Sequence, residues 1–183
     1  MNLVTFGASY SVTSINRAWA AAVGKRILEL AGKEGNIQSL DLNKYDLPLY
    51  TVEREAQIGL PEPAKWFVED LAQADLIVVS LAEYNGSYTA GFKNLFDWAS
   101  RVELKFFQNK PVVVTSTAPG PRGGLTVLQT AAERFPRHGA SQVVVGPALP
   151  GFKIHFDLAT NQLTSDEWQQ ALDQSLQPLL ESL

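Results

Sequence analysis

The chain contains no cysteine. That excludes a disulfide framework, thiolate metal centres, iron–sulfur clusters and a cysteine nucleophile. Histidine is nearly absent too: His138 and His155 are the only two, far apart in sequence, so a histidine metal site is not expected. Basic charge is in short supply, with 15 Lys and Arg against 19 Asp and Glu and a net charge of -4. No nucleic-acid partner is expected, because such binders normally carry a basic face. Long apolar runs are missing; the most apolar, Leu76 to Val79, falls far below the roughly 20 residues of a membrane-spanning helix. No membrane association is expected. The N-terminus enters Leu3–Phe6 at once, without a basic segment leading into a long apolar stretch, so a cytoplasmic location is expected. What is present is ordinary for a globular α/β or α+β domain: 183 residues, 45% hydrophobic and 19% charged. A chain of this size buries roughly 70% of its unfolded surface without staples. Its chemistry must come from a bound organic cofactor, or from oxygen and amide groups.

Strand and helix patterns alternate along the chain. Leu3–Phe6 reads as a short strand ending at Gly7. From Ser14, the positions Ile15, Ala18, Trp19, Ala22, Val23, Ile27 and Leu30 keep helical spacing until Gly32 and Gly35 stop it. Ile37–Leu42 reads as a second strand. The stretch from Asn43 to Pro63 holds three prolines and no clean period; a connection of about 20 residues in a compact domain is usually functional or locally structured. A helix is predicted over 64–73, a central strand over 76–81, a helix over 90–103, a buried strand over 111–116, a helix over 123–137 and a fifth strand over 142–145. Ser165 caps a final helix. Five strands alternating with five helices imply a parallel sheet with helices on both faces, in one domain spanning 1–183.

Ligands of such sheets bind outside the carboxyl ends of the strands. Three strand-to-helix loops there are rich in Gly, Ser, Thr and Asn: 7–16, 82–89 and 117–124. The first carries the hydroxyls of Ser9, Ser11, Thr13 and Ser14 and ends in Asn16. It precedes a helix whose free N–H groups, Ile15 among them, and dipole favour an anion, which points to a phosphate cradle. It is neither a Walker loop nor the dinucleotide fingerprint. The second loop places Glu83, Tyr84 and Asn85 directly after a buried strand, where a ring and amide groups hold a flat ligand. Asn85-Gly86 taken alone marks a tight turn. The third, Thr-Ala-Pro-Gly-Pro-Arg-Gly-Gly from Thr117, brings backbone N–H groups close to a ligand.

Residues 83–101, Glu-Tyr-Asn-Gly-Ser-Tyr-Thr-Ala-Gly-Phe-Lys-Asn-Leu-Phe-Asp-Trp-Ala-Ser-Arg, together with Leu-Pro-Leu-Tyr at 47–50 and the third loop, carry a resemblance. The chain resembles the NADPH-dependent FMN reductase family of flavodoxin-like proteins, which includes bacterial quinone and chromate reductases. The resemblance covers nearly the whole length. It implies a three-layer sandwich built on a five-stranded parallel sheet of order 2-1-3-4-5. It further implies that Ser9, Ser14 and Asn16, with neighbouring N–H groups, hold the FMN phosphate, and Ser11 and Ile15 complete the cofactor-binding set expected in this loop. Glu83, Tyr84, Asn85 and Gly86 would then flank the isoalloxazine, and Ser116, Thr117 and Gly120 would approach its other edge. Hydride would pass from NADPH or NADH to flavin N5 and on to a quinone-like acceptor, in a homodimer or homotetramer. Flavin supplies the chemistry, so no protein catalytic residue is expected. The alternative is a non-enzymatic flavodoxin-like binding or regulatory protein with weak or lost flavin binding.

Ser11 stands where the family often has a phosphate-binding arginine, and Ala82 and Ala90 replace prolines. Loss of a charged hydrogen bond costs about 1.5–3 kcal/mol, roughly 10- to 150-fold in affinity. Arg17, just inside the helix, is the candidate compensation. His138 reads as a charged cap at a helix end, and His155 as a strand-edge residue. Trp66, Trp98 and Trp168 read as core or subunit contacts. Phe106 and Phe107 fit a dimer surface and core packing equally well.

Overall fold

Unbroken runs of Val, Ile and Leu suit strands covered on both faces, and such runs form the centre of the molecule. The computed structural model describes residues 1–183. Chain order is β1 (Asn2–Ala8), α1 (Ile15–Ala31), β2 (Asn36–Leu40), α2 (Val52–Ile58), α3 (Glu62–Ala72), β3 (Leu76–Leu81), β4 (Glu83–Tyr84), β5 (Ser87–Tyr88) and α4 (Ala90–Val102). It continues through β6 (Pro111–Thr117), α5 (Leu125–Arg134), β7 (Gln142–Leu149), α6 (Phe152–His155), β8 (Phe156–Asp157), β9 (Gln162–Leu163) and α7 (Asp166–Leu180). Five strands form one sheet in the order β2-β1-β3-β6-β7, and every neighbouring pair in it is parallel. In order of appearance this is 2-1-3-4-5, as the resemblance implies. Register is fixed by pairs such as Val4–Ile77, Ile77–Val112 and Val112–Val143.

Side chains alternate across the sheet and divide the core in two. One face packs Phe6, Val79 and Val114 under Phe67 of α3, Phe92 and Phe96 of α4, and Leu128 of α5. The other packs Leu3, Val78 and Val113 under Trp19 and Val23 of α1 and Leu172 and Leu176 of α7. Helices on both faces follow from that division. Strand order reverses between β1 and β3, which opens the crevice where ligands enter such sheets.

Several expected boundaries shift, each for a local reason. The second strand ends at Leu40, because the Asp41 carboxylate accepts from the Asn43 N–H at 3.1 Å and starts a 3₁₀ turn over Leu42–Lys44. Within the aperiodic 43–63 stretch lies α2, capped by Thr51, whose hydroxyl accepts from the Arg54 N–H at 3.0 Å. None of its residues is buried, so it has no apolar period to read. The helix expected over 123–137 is α5 followed by a separate 3₁₀ turn, Phe135–His138, at Pro136. The fifth strand runs on to Leu149, past a register shift between Val114 and Ser116. There the Thr115 hydroxyl donates to the Pro147 carbonyl at 2.6 Å.

Phe106 and Phe107 are core residues, which decides between the two readings left open by sequence. Trp98 is buried as expected, but Trp66 is 49% exposed, on the side of α3 opposite Ala64, Phe67 and Leu71. His155 ends α6 instead of edging a strand. His138 does not act as a charged cap: burial holds its pKa below the usual histidine value, and Nδ1 lies 3.0 Å from the Leu104 carbonyl. The folded state therefore binds this proton less readily than the unfolded chain. Stability contributed by neutral His138 is complete above the unfolded pKa and declines as pH falls through about 6.5. Denaturant midpoints measured from pH 7.5 to 5.5 are expected to fall more steeply for the wild type than for His138→Gln.

The motif helix α4 grips the Leu47–Tyr50 loop. Asn94 accepts from the Tyr50 N–H at 2.8 Å and donates to the Pro48 carbonyl at 3.0 Å. Trp98 Nε1 donates to the same carbonyl at 2.8 Å, and its ring meets Tyr50 edge-on at 5.0 Å. Asn94→Ala strands these groups and is expected to lower stability by about 1–3 kcal/mol, read as a shift in the urea midpoint.

Candidate functional site

The ends of β3 and β6 are fastened to the start of α1 by one buried side chain. Asn16 Oδ1 accepts from the Ser80 hydroxyl at 2.6 Å and from the Thr117 N–H at 3.2 Å, while Nδ2 donates to the Thr117 carbonyl at 3.1 Å. Every polar atom of the amide is engaged, which suits a polar group buried at a strand–helix junction. A second tie joins the first two loops: the buried Thr89 hydroxyl donates to the Ala8 carbonyl at 3.1 Å. Gly7 lets β1 close against α1, since a Cβ there would stand 2.3 Å from the Arg17 backbone nitrogen. Gly91 likewise makes room for the Tyr10 ring. Burial, reinforced by the Asp46 charge, pushes the Tyr10 phenol up to about 12. It stays protonated and donates to the Tyr45 carbonyl at 3.0 Å.

These ties frame a cleft of about 270 Å³, just below the roughly 300–1,000 Å³ usual for small-molecule sites. One side is the first loop, with Ser9, Ser11, Thr13 and Ser14 meeting Ile15 and Asn16 at the start of α1. Ser14 caps the helix, its hydroxyl accepting from the Arg17 N–H at 3.2 Å. The earlier Ile15 and Asn16 N–H groups have no acceptor within the helix, and no acidic residue stands in the first turn. Hydroxyls, free N–H groups and the positive dipole end make this side suited to a phosphate. The facing walls are Ala82, Glu83 and Tyr84 from the second loop and Thr117, Ala118 and Pro119 from the third. Tyr84 is 57% exposed and offers a ring to a planar ligand.

The cleft thus brings together Ser9, Ser11, Ser14, Ile15, Asn16, Glu83, Tyr84 and Thr117. Asn85, Gly86, Ser116 and Gly120 lie off its walls. Asn85 and Gly86, with φ of 53° and 75°, form the tight turn of the β4–β5 hairpin. Ser116 is buried beneath Gly124, its hydroxyl without a hydrogen-bond partner. The Gly120 carbonyl is occupied by the Gly151 N–H at 3.3 Å. Arg17 does not line the cleft: Nη1 pairs with Asp41 at 2.7 Å and Nη2 donates to the Val12 carbonyl at 3.4 Å. The residues not singled out as ligands, Thr13, Ala82, Ala118 and Pro119, sit inside the three loops, so loop membership was the available signal. Elsewhere, a cavity of about 190 Å³ between α1, α7 and the β8–β9 hairpin is lined by Arg26, whose guanidinium is held by Asp173 at 2.6 Å.

The sequence model of a family described as NADPH-dependent FMN reductase matches residues 1–150. A quinone reductase of Escherichia coli K12 is 35% identical over 79 residues, 43% of this chain and 42% of that protein. One from Pseudomonas putida KT2440 is 32% identical over 103 residues, 56% and 54% of the two chains. The matched segments therefore span about half the length of these curated relatives or less. Among solved structures, the flavoenzyme NAD(P)H:(acceptor) oxidoreductase FerB from Paracoccus denitrificans superposes with a TM-score of 0.70 at 20% identity, covering 98% of this chain and 95% of that one. The NAD(P)H:quinone oxidoreductase of Methanothermobacter marburgensis gives 0.58 at 17% identity, covering 96% and 95%. At such identities these two establish the fold. No helix is long and apolar enough to cross a membrane.

Proposed function

The chain belongs to the NADPH-dependent FMN reductase family, and we propose that it is an FMN-dependent NAD(P)H oxidoreductase acting on quinones or similar small acceptors. The observation that carries this reading is the first loop, where hydroxyls and unpaired N–H groups converge at a helix start without a carboxylate in its first turn. When bound, FMN would supply the chemistry, hydride transfer through N5 between NADPH or NADH and the acceptor. The protein's part is to bind and orient. Ser9, Ser11, Thr13 and the Ile15 and Asn16 N–H groups hold the phosphate. Tyr84 and the Thr117–Pro119 backbone, which line the same cleft, would border the ring. Asn16 acts on this arrangement by holding the loops together, its amide being fully engaged. The fit is chemical: a dianionic phosphate would meet donors and a dipole, with no acidic residue in the first turn of α1.

Arg17 is committed to Asp41, so Ser11 leaves the cradle without a cation. Ser11→Arg is accordingly expected to tighten FMN binding by about tenfold or more, measured by quenching of flavin fluorescence. Unchanged affinity would mean that the phosphate is held elsewhere. The proposed protein is a single domain over 1–183 that assembles as a homodimer or homotetramer, a state measurable by light scattering. The activity test follows NADPH oxidation anaerobically with a benzoquinone, with and without added FMN. FMN-dependent turnover supports the proposal. No turnover, with FMN bound loosely or not at all, favours the non-enzymatic alternative, a flavodoxin-like binding or regulatory protein with weak or lost flavin binding.

A further inference from the structure

Helix α5 begins without a cap of its own. Its N-cap position is Gly124, in the left-handed region at φ 83° and with no side chain to accept from the first turn. A serine or aspartate cannot readily replace it, since a Cβ there would stand 3.1 Å from the Ser116 Cβ on strained backbone. The acceptor comes instead from another loop: Glu83 on β4 receives the Val127 N–H at 3.0 Å through Oε2. Val127 is the third residue of α5, the position that a local cap would ordinarily serve. A carboxylate there also meets the positive end of the helix dipole. Glu83 and Thr117–Pro119, from the segment that leads towards α5, both line the cleft.

We propose that Glu83 is a positioning residue which, by capping α5 from the second loop, sets the spacing between the Glu83–Tyr84 segment and the third loop and so tunes the grip on the flavin ring. The proposal rests on the FMN reading above. It assigns the acid a role through α5, without direct contact with flavin. The cleft carboxylate is thereby turned to a helix N-terminus, whose dipole favours a negative group there. The interaction needs an acceptor oxygen at this reach. Glutamine retains one, whereas aspartate is a methylene too short.

The test compares the full-length protein with its Glu83→Gln, Glu83→Asp and Glu83→Ala variants by amide exchange at Val127 and by FMN titration. Glu83→Ala and Glu83→Asp are expected to raise Val127 exchange about tenfold or more and to weaken FMN by a similar factor. Glu83→Gln is expected to keep both within about threefold. Unchanged Val127 exchange in Glu83→Ala and Glu83→Asp overturns the cap, whatever FMN does. FMN binding lost equally in Glu83→Gln and Glu83→Ala, with Val127 still protected in the glutamine variant, overturns it in favour of direct contact with flavin. If the wild type binds no FMN, Val127 exchange still reads the cap on its own, so failure of the cofactor reading is distinguishable. Should Glu83→Ala not fold, the glutamine–aspartate pair carries the comparison.

Discussion

Asn16→Ala is expected to be the most damaging single substitution around the cleft, lowering stability by about 3–5 kcal/mol. The amide serves the Ser80 hydroxyl and both backbone groups of Thr117, and all these atoms are buried. Removing it deprives each of its Asn16 partner, and an unsatisfied buried group costs about 1–3 kcal/mol. Neighbours in one network do not add simply, which keeps the total below three such costs at their upper value. Asn16→Asp retains the accepting oxygen but loses the donor to the Thr117 carbonyl and buries a charge beside that carbonyl, so no rescue is expected. The urea midpoint checks the first effect. Because the same bonds align the first and third loops, FMN affinity in the folded fraction is expected to fall about tenfold or more.

Gly7→Ala ranks second, and its mechanism is steric. The added methyl would lie 2.3 Å from the Arg17 nitrogen and 2.7 Å from the Asn16 carbonyl carbon. Both belong to helix backbone, so no flexible side-chain end can yield; α1 must retreat from β1. Overpacking costs about 1–3 kcal/mol where side chains can adjust, and rigid backbone places this site at the upper end or beyond. The retreat also separates the Ile15 and Asn16 N–H groups from Ser9 and Ser11. A loss of FMN affinity of about 100-fold is expected, with thermal denaturation and fluorescence titration as the two readouts. A Gly7→Ala protein with wild-type affinity would mean that the α1 terminus does not hold the phosphate.

The layered architecture was legible because its strands are near-continuous apolar runs, and Leu76–Leu81 is buried along its entire length. The three loops were legible by composition, and the cleft forms between them. What could not be read was the use of individual side chains. Asn16 stands beside a row of hydroxyls and resembles a phosphate ligand in sequence. Its actual partners lie 64 and 101 positions away, beyond any local pattern. Glu83 looks like a cleft-facing acid, yet it is engaged by a helix 44 positions on. Asn85-Gly86 shows the converse: its dipeptide chemistry already specified a turn, and a turn is what it forms. α2 escaped because an exposed short helix has no apolar stripe to betray it. Arg17 was a reasonable compensating cation by position, but Asp41, at the end of the neighbouring strand, holds it outside the cleft.

The central claim is that the cleft at the ends of β1, β3 and β6 holds FMN by its phosphate. The most direct measurement is a titration of FMN with purified wild-type protein, followed by flavin fluorescence, with riboflavin as the parallel ligand. The account predicts saturable one-to-one binding of FMN and binding of riboflavin weaker by about tenfold or more, since riboflavin lacks the phosphate that the α1 terminus would hold. Equal affinity for both, or no saturable binding of FMN, would contradict it.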